Sequence, residues 1–185
     1  MAIEIEKKYR VDKKRHDEVI TKLEKLGGKF TKEVFEENYL HRGGLLDERG
    51  AVLRLRKIGD FTVLTYKEKL RNDSDFKHKT EYETVVADVD AMENIIGRLG
   101  YKLSVIYEKR RKIWHFKNVE VMMDELPFGL YMEIEGTIED IAKTEKLLEI
   151  QDLELETRGY PRLTAKYGKI KGDVAEARFE RTASA

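Results

Sequence analysis

The chain has 185 residues, 41% of them apolar, which is enough for one folded domain with its own core and too many for a disordered chain. Its 36 Lys and Arg balance 36 Asp and Glu, so no basic excess exists to hold nucleic acid non-specifically; a polyanion would have to meet a local arrangement of cations. The absence of cysteine excludes disulfides and thiolate metal sites.

Charged residues reach 39%, against roughly 25% in an ordinary domain, so either the surface is laced with salt bridges or the interior is charged. No apolar run approaches the roughly 18 residues of a membrane span, and the N-terminus lacks a signal-type apolar stretch. A soluble, cytoplasmic protein is expected, with no membrane and no nucleic acid among its partners.

The first strand is centred on Glu4-Ile5-Glu6-Lys7-Lys8. Alternation along a strand puts Glu4, Glu6 and Lys8 on one face and Ile3, Ile5 and Tyr9 on the other. Asp12 can cap a helix whose Val19, Ile20, Leu23 and Leu26 recur at helical spacing, with Gly27-Gly28 as its stop. Gly27-Gly28-Lys29 lacks the spacing of a phosphate loop.

Val34 to His41 reads as extended, and Gly43-Gly44 with Asp47 to Gly50 as turns. In Val52 to Arg56 the leucines take one face and the arginines the other. Gly59-Asp60 turns into a strand from Phe61 to Lys69, where Leu64 and Tyr66 oppose Thr65, Lys67 and Lys69. Leu70 to His78 is polar and reads as a hairpin loop, with a lid as the alternative.

Lys79 to Val86 is a strand carrying Glu81 and Glu83, followed by a helix with Ile95, Ile96 and Leu99 inward and Gly100 as its stop. Further strands run from about Leu103 to Phe116 (Lys109 and Arg111 on one face), Glu120 to Leu126 (Asp124 opposite Val121 and Met123) and Leu130 to Glu135. A third helix spans roughly Ile138 to Ile150, and Pro161 opens a short last one. A domain over residues 1–170 and a polar tail from Lys171 to Ala185 are expected.

The pattern repeats internally. Glu4-x-Glu6, Glu81-x-Glu83 and Glu133-x-Glu135 each end in an amphipathic helix, and the first two helices end alike in Leu26-Gly27 and Leu99-Gly100. Short turns between strands argue for a mostly antiparallel sheet, each strand with one apolar and one charged face. If the sheet stays open, the charged face meets water and means little.

If the sheet closes with its helices outside, the lumen holds acids (Glu4, Glu6, Glu81, Glu83, Asp124, Glu133, Glu135) interleaved with bases (Lys8, Arg54, Arg56, Lys67, Lys109, Arg111). Enclosed like charges need counter-ions or a ligand. Carboxylates without His or Cys suit hard cations, Mg²⁺ or Mn²⁺, and clustered Arg and Lys suit phosphate oxygens. A metal-bound polyphosphate satisfies both. His16, His41, His78 and His115 are scattered without ligand spacing, and Tyr39 and Tyr160 read as packing residues.

These residues carry a resemblance. Glu4-x-Glu6-x-Lys8 resembles the E-x-E-x-K signature of the CYTH family, the triphosphate tunnel metalloenzymes. The likeness continues in order through Leu53-Arg54-Leu55-Arg56, Leu64-Thr65-Tyr66-Lys67, Glu81-x-Glu83, Lys109-x-Arg111, Asp124 and Glu133-Ile134-Glu135 to Gly159-Tyr160-x-x-Leu163. Two positions depart from the pattern: Lys79 stands where the family more often has Arg, and Gly159 where it has Ser.

The resemblance implies an α+β fold, an eight-stranded antiparallel β-barrel (tunnel) with a charged lumen and flanking helices. It implies a small-molecule triphosphate substrate with Mg²⁺ or Mn²⁺, in a monomer or homodimer. Carried to matching positions, Glu4, Glu6, Asp124, Glu133 and Glu135 would hold metal. Lys8, Arg54, Arg56, Lys67, Lys109 and Arg111 would grip phosphate, with Glu81 and Glu83 near a second metal or orienting the bases. Two activities share that grip: hydrolysis of inorganic or small organic triphosphate, and class IV adenylate cyclase chemistry from ATP to cyclic AMP and pyrophosphate. A non-catalytic polyphosphate- or nucleotide-binding module would lack the metal-holding acids.

Overall fold

The computed structural model describes residues 2–69 and 77–181, with the backbone alone at 2–4, 69 and 77–79. Eight strands form the centre: β1 (Ala2–Val11), β2 (Lys29–Arg42), β3 (Ala51–Ile58), β4 (Phe61–Lys69), β5 (Lys77–Val85), β6 (Lys102–Phe116), β7 (Val119–Leu126) and β8 (Gly129–Glu135). They pair antiparallel in the order β6-β2-β3-β4-β5-β1-β8-β7, and β7 pairs again with β6. The circuit of pairings is therefore closed. β1 joins its ends: Ala2 to Glu6 run along β5, and Glu6 to Val11 along β8. Closure leaves the eight strands one inside and one outside.

The outside is covered by helices. α1 (Lys13–Lys25) and α4 (Ile138–Leu148) lie over one side, where Val19, Leu23, Ile141 and Leu148 are buried against Tyr9, Trp114, Val121, Met123, Met132 and Ile134. Each such side chain contributes about 1.5–3 kcal/mol of transfer free energy. Asp12 caps α1 as its sequence suggests, accepting from the Arg15 N–H at 2.8 Å, which is worth about 1 kcal/mol. Gly27 just past the helix has φ +88°, a conformation open to glycine and costly for most residues.

α3 (Val89–Arg98) covers the opposite side, on Leu53, Leu55 and Leu64. Its buried stripe is Val89, Met92 and Ile96, at spacings of three and four. Ile95 and Leu99, expected to point inward, are 51% and 66% exposed. Ile95 is turned about 100° from Ile96 around the helix, and Leu99 lies past its last turn. The expected turn before Gly50 is a six-residue helix, α2 (Gly44–Arg49).

β9 (Glu154–Leu155) adds to the free edge of β1, and α5 (Tyr160–Tyr167) follows, with Pro161 in its first turn. Residues from Lys169 form a hairpin, β10 (Lys169–Lys171) and β11 (Val174–Ala177), and β11 pairs parallel with Val105 to Tyr107 of β6. The segment read from sequence as a polar tail thus carries a strand of the sheet up to Ala177. Beyond it Arg178 pairs with Glu37 and Glu108 at 3.2 Å on the outer face. Residues 70–76 of the expected loop lie outside the described residues, while Lys77 and His78 belong to β5. Among the described residues, no helix is long and apolar enough to cross a membrane.

Candidate active site

With the outer faces spent on helices, the alternate side chains of each strand face the lumen. On β3 these are Val52, Arg54, Arg56 and Ile58; on β4, Phe61, Val63, Thr65 and Lys67; on β6, Tyr107, Lys109 and Arg111. One end of the lumen is stopped by protein. Tyr160 and Leu163 of α5 enter among Leu40, Val105, Tyr107, Leu126 and Tyr131, all buried.

Next to this plug lies a dense ionic cluster on β1, β6, β7 and β8. Asp124, fully buried, takes both forks of the Arg111 guanidinium, Nε at 2.7 Å and Nη2 at 2.6 Å, and Arg111 also pairs with Glu133. Lys8, 2% exposed, sits 3.1 Å from Glu133 and 3.3 Å from the Arg158 carbonyl. Its ammonium lies 3.6 Å from the centroid of the Tyr160 ring, a cation–π contact. The Tyr160 hydroxyl donates to Asp124 at 2.5 Å.

Glu36 of β2, not singled out by sequence, is buried and pairs with Lys109 at 3.3 Å, and Tyr160, expected only to pack, also bonds to the site acid Asp124.

The facing wall is built by β3, β4 and β5. Glu81 pairs with Arg54 at 3.3 Å and with Lys67. Glu83 receives Arg56 at 2.8 Å, Arg54 at 3.4 Å and the Thr65 hydroxyl at 2.7 Å. Among the described residues, Nε of Arg54 and Nε of Arg56 are buried donors with no hydrogen-bond partner. An unmet buried donor costs about 1–3 kcal/mol, more on a charged group. Two on neighbouring arginines of one lumen wall point to an anionic ligand.

The electrostatics keep Glu36 and Lys8 charged. Burial pushes the Glu36 carboxyl up, but Lys109, Arg111, Arg56 and Arg54 together pull it down to about 2. Burial would discharge Lys8, yet Glu133 and Glu6 hold its pKa above the ordinary lysine value. Lys109 goes the other way, lowered by burial and by Arg111 against the pull of Asp124 and Glu36. Burial, then Asp124 and Glu133, raise Tyr160 well above the ordinary phenol range, so it stays a donor. A buried ionic network of this kind adds little net stability.

The expected ligands with described side chains are on lumen-facing strand positions, and they divide into three groups. Lys8, Lys109, Arg111, Asp124 and Glu133 are brought together, as are Arg54, Arg56, Lys67, Glu81 and Glu83. Glu6 and Glu135 stand opposite each other in the β1–β8 register, and the Glu4 side chain is outside the described ones. Among the described residues, no three carboxylates or histidines converge as they would around a metal ion. The donor chemistry still fits a hard cation: the acids of β1, β7 and β8 offer oxygen only.

The CYTH domain family matches residues 2–161 of this chain. A Methanocaldococcus jannaschii protein named as a candidate adenylate cyclase is 35% identical over 151 residues, spanning 80% of this chain and 84% of its own. A Pyrococcus horikoshii structure superposes with a TM-score of 0.75 at 26% identity, over 86% of this chain and 98% of that one. A Hippeastrum protein, described as a candidate adenylyl cyclase with a dominant triphosphatase activity, shares the fold at TM-score 0.70 and 16% identity, covering 93% and 98%. With its closed eight-stranded tunnel and a match over nearly its whole length, the chain belongs to the CYTH family.

Proposed function

We propose that the protein is a triphosphatase, dependent on Mg²⁺ or Mn²⁺, that hydrolyses inorganic triphosphate or a small organic triphosphate inside the tunnel. The observation that carries this reading is the pair of unpartnered, buried Nε donors on Arg54 and Arg56, set in a lumen where cations and carboxylates alternate. A polyphosphate chain would complete both donors.

Lys8, Arg54, Arg56, Lys67, Lys109 and Arg111 grip the phosphate oxygens. Glu81 and Glu83 hold Arg54, Arg56 and Lys67 in place, so these cations are oriented before substrate arrives. Glu4, Glu6, Asp124, Glu133 and Glu135 would hold the metal, which when bound supplies Lewis-acid polarisation of the phosphoryl oxygens. Water attacks the terminal phosphorus in line, the bridging P–O bond opposite breaks, and orthophosphate and diphosphate leave. The lumen cations neutralise the charge that builds on the leaving oxygen.

A second reading is cyclisation of ATP, favoured by the name of the 35% identical relative. It uses the same grip but requires a ribose 3′-hydroxyl held in line with the α-phosphate. Phosphate release from inorganic triphosphate, present with Mg²⁺ or Mn²⁺ and abolished by EDTA, tests the first reading. No release with either metal would overturn it.

A further inference from the structure

The lumen wall made by β3, β4 and β5 changes character along its length. From the plug outward, β3 shows Val52, Arg54, Arg56 and then Ile58. β4, running the other way, shows Lys67, Thr65, Val63 and Phe61. On β5 the run is Glu81, Glu83 and Val85. The registers pair Ile58 with Phe61, Arg56 with Val63 and Val63 with Val85. The charged wall therefore ends in an apolar lip of Ile58, Phe61, Val63 and Val85, directly beyond Arg56 and Glu83.

α3 covers the other face of these strands, and among the described residues the three buried clusters contain none of the four lip side chains. Phe61 is 67% exposed and Val85 68%, on the face where Arg54, Arg56, Lys67 and Glu81 are half-buried in ion pairs. An aromatic and a β-branched side chain left bare on a lumen wall do not stabilise the fold.

We propose that this lip receives the organic group of an organic triphosphate, a nucleoside or similar ring system whose phosphates are gripped by Arg54 and Arg56. The proposal rests on the reading of the lumen as a triphosphate site. The occupant follows from continuity and from exclusion. The opposite end of the lumen is filled by Tyr160, Leu163, Leu40 and Tyr131, so a group attached to the phosphate chain must extend toward the lip end. The wall it meets there is the lip, where a ring can lie against Phe61 and Val85 while its phosphates reach the two arginines. Inorganic triphosphate has nothing to place there. The lip is thus a specificity element, separate from the phosphate grip.

The test uses the full-length protein and two variants, Phe61→Ala and Val85→Ser, whose side chains are exposed enough that the fold is not at risk. Binding of bismethylene ATP, with methylene bridges at both the α,β and β,γ positions, and of bismethylene triphosphate is measured by calorimetry with Mg²⁺, and turnover of ATP and inorganic triphosphate is measured alongside. Stacking and apolar contact of this kind predict that the ratio of affinities, organic over inorganic, falls about fivefold or more in each variant. An unchanged ratio, with turnover intact, overturns the lip and leaves the triphosphatase reading standing. Phe61-dependent selectivity in a protein that turns over neither substrate overturns the hydrolase and supports the lip. Binding of neither analogue overturns both.

Discussion

The hydroxyl of Tyr160 donates to the buried carboxylate of Asp124 at 2.5 Å, while the face of the same ring lies 3.6 Å under the Lys8 ammonium. One residue of the plug helix therefore braces an acid and a base of the lumen together. Tyr160→Phe keeps the ring and removes only the donor. Hydrogen bonds to charged groups contribute about 1.5–3 kcal/mol, and Asp124 retains Arg111, so a loss of about 1–2 kcal/mol is expected. Urea unfolding should show a lower midpoint with an unchanged slope. An unshifted midpoint would mean that the plug does not support the ionic cluster.

Arg54 and Arg56 are expected to act through their forks as well as their charge. Lysine at either position keeps the charge and loses the planar set of donors, including the buried Nε. Arg54→Lys and Arg56→Lys should each lower kcat/KM for triphosphate by about tenfold or more, the equivalent of one charge-assisted hydrogen bond. Variants within twofold of the parent would reduce these arginines to diffuse positive charge.

Much of this site was legible in the sequence because strand alternation is a strict rule. Arg54 and Arg56, Glu81 and Glu83, Lys109 and Arg111 are each two residues apart, so each pair had to share a face. Glu36 was hidden by the same rule: it is followed by Glu37, so one acid faces in and one out, and the sequence does not say which. The fold decides, placing Glu36 beside Lys109 and Glu37 beside Arg178 on the outer surface. Tyr160 was read as packing, and it does pack, but its reach to Asp124 and Lys8 comes from the docking of α5, a tertiary event that no local pattern encodes. The exposure of Ile95 and Leu99 has a similar origin, since only the position of α3 on the barrel selects its buried stripe. β11 escaped notice because a four-residue strand on a sheet edge has too few alternations to read.

Glu133 and Glu135 should both be needed for turnover. Glu133→Gln removes a partner of both Lys8 and Arg111, so it should cost stability as well as turnover. Glu135→Gln, at a half-buried position, keeps the volume and removes the charge a hard cation needs, so it should abolish metal-dependent turnover. Near-normal activity in Glu135→Gln would remove that residue from the metal-holding set.

The pH dependence of stability follows from Glu36. Its folded pKa of about 2 lies below the ordinary 4.5, so its contribution is fully present above pH 4.5 and is lost as pH falls toward 2. The gap corresponds to about 3 kcal/mol. Urea unfolding of the parent and Glu36→Gln should differ by that order at pH 5 and converge near pH 2. Parallel stability curves across the range would show that Lys109 and the arginines do not hold Glu36 ionised.

The central claim is the identity of the attacking oxygen: water at the terminal phosphorus against ribose at the α-phosphorus. The most direct measurement incubates purified protein with Mg²⁺ or Mn²⁺ and either inorganic triphosphate or ATP, and resolves orthophosphate, pyrophosphate and cyclic AMP in one separation. Phosphate release from triphosphate that exceeds cyclic AMP formation from ATP under matched conditions is the predicted result; cyclic AMP and pyrophosphate as the dominant products would contradict it.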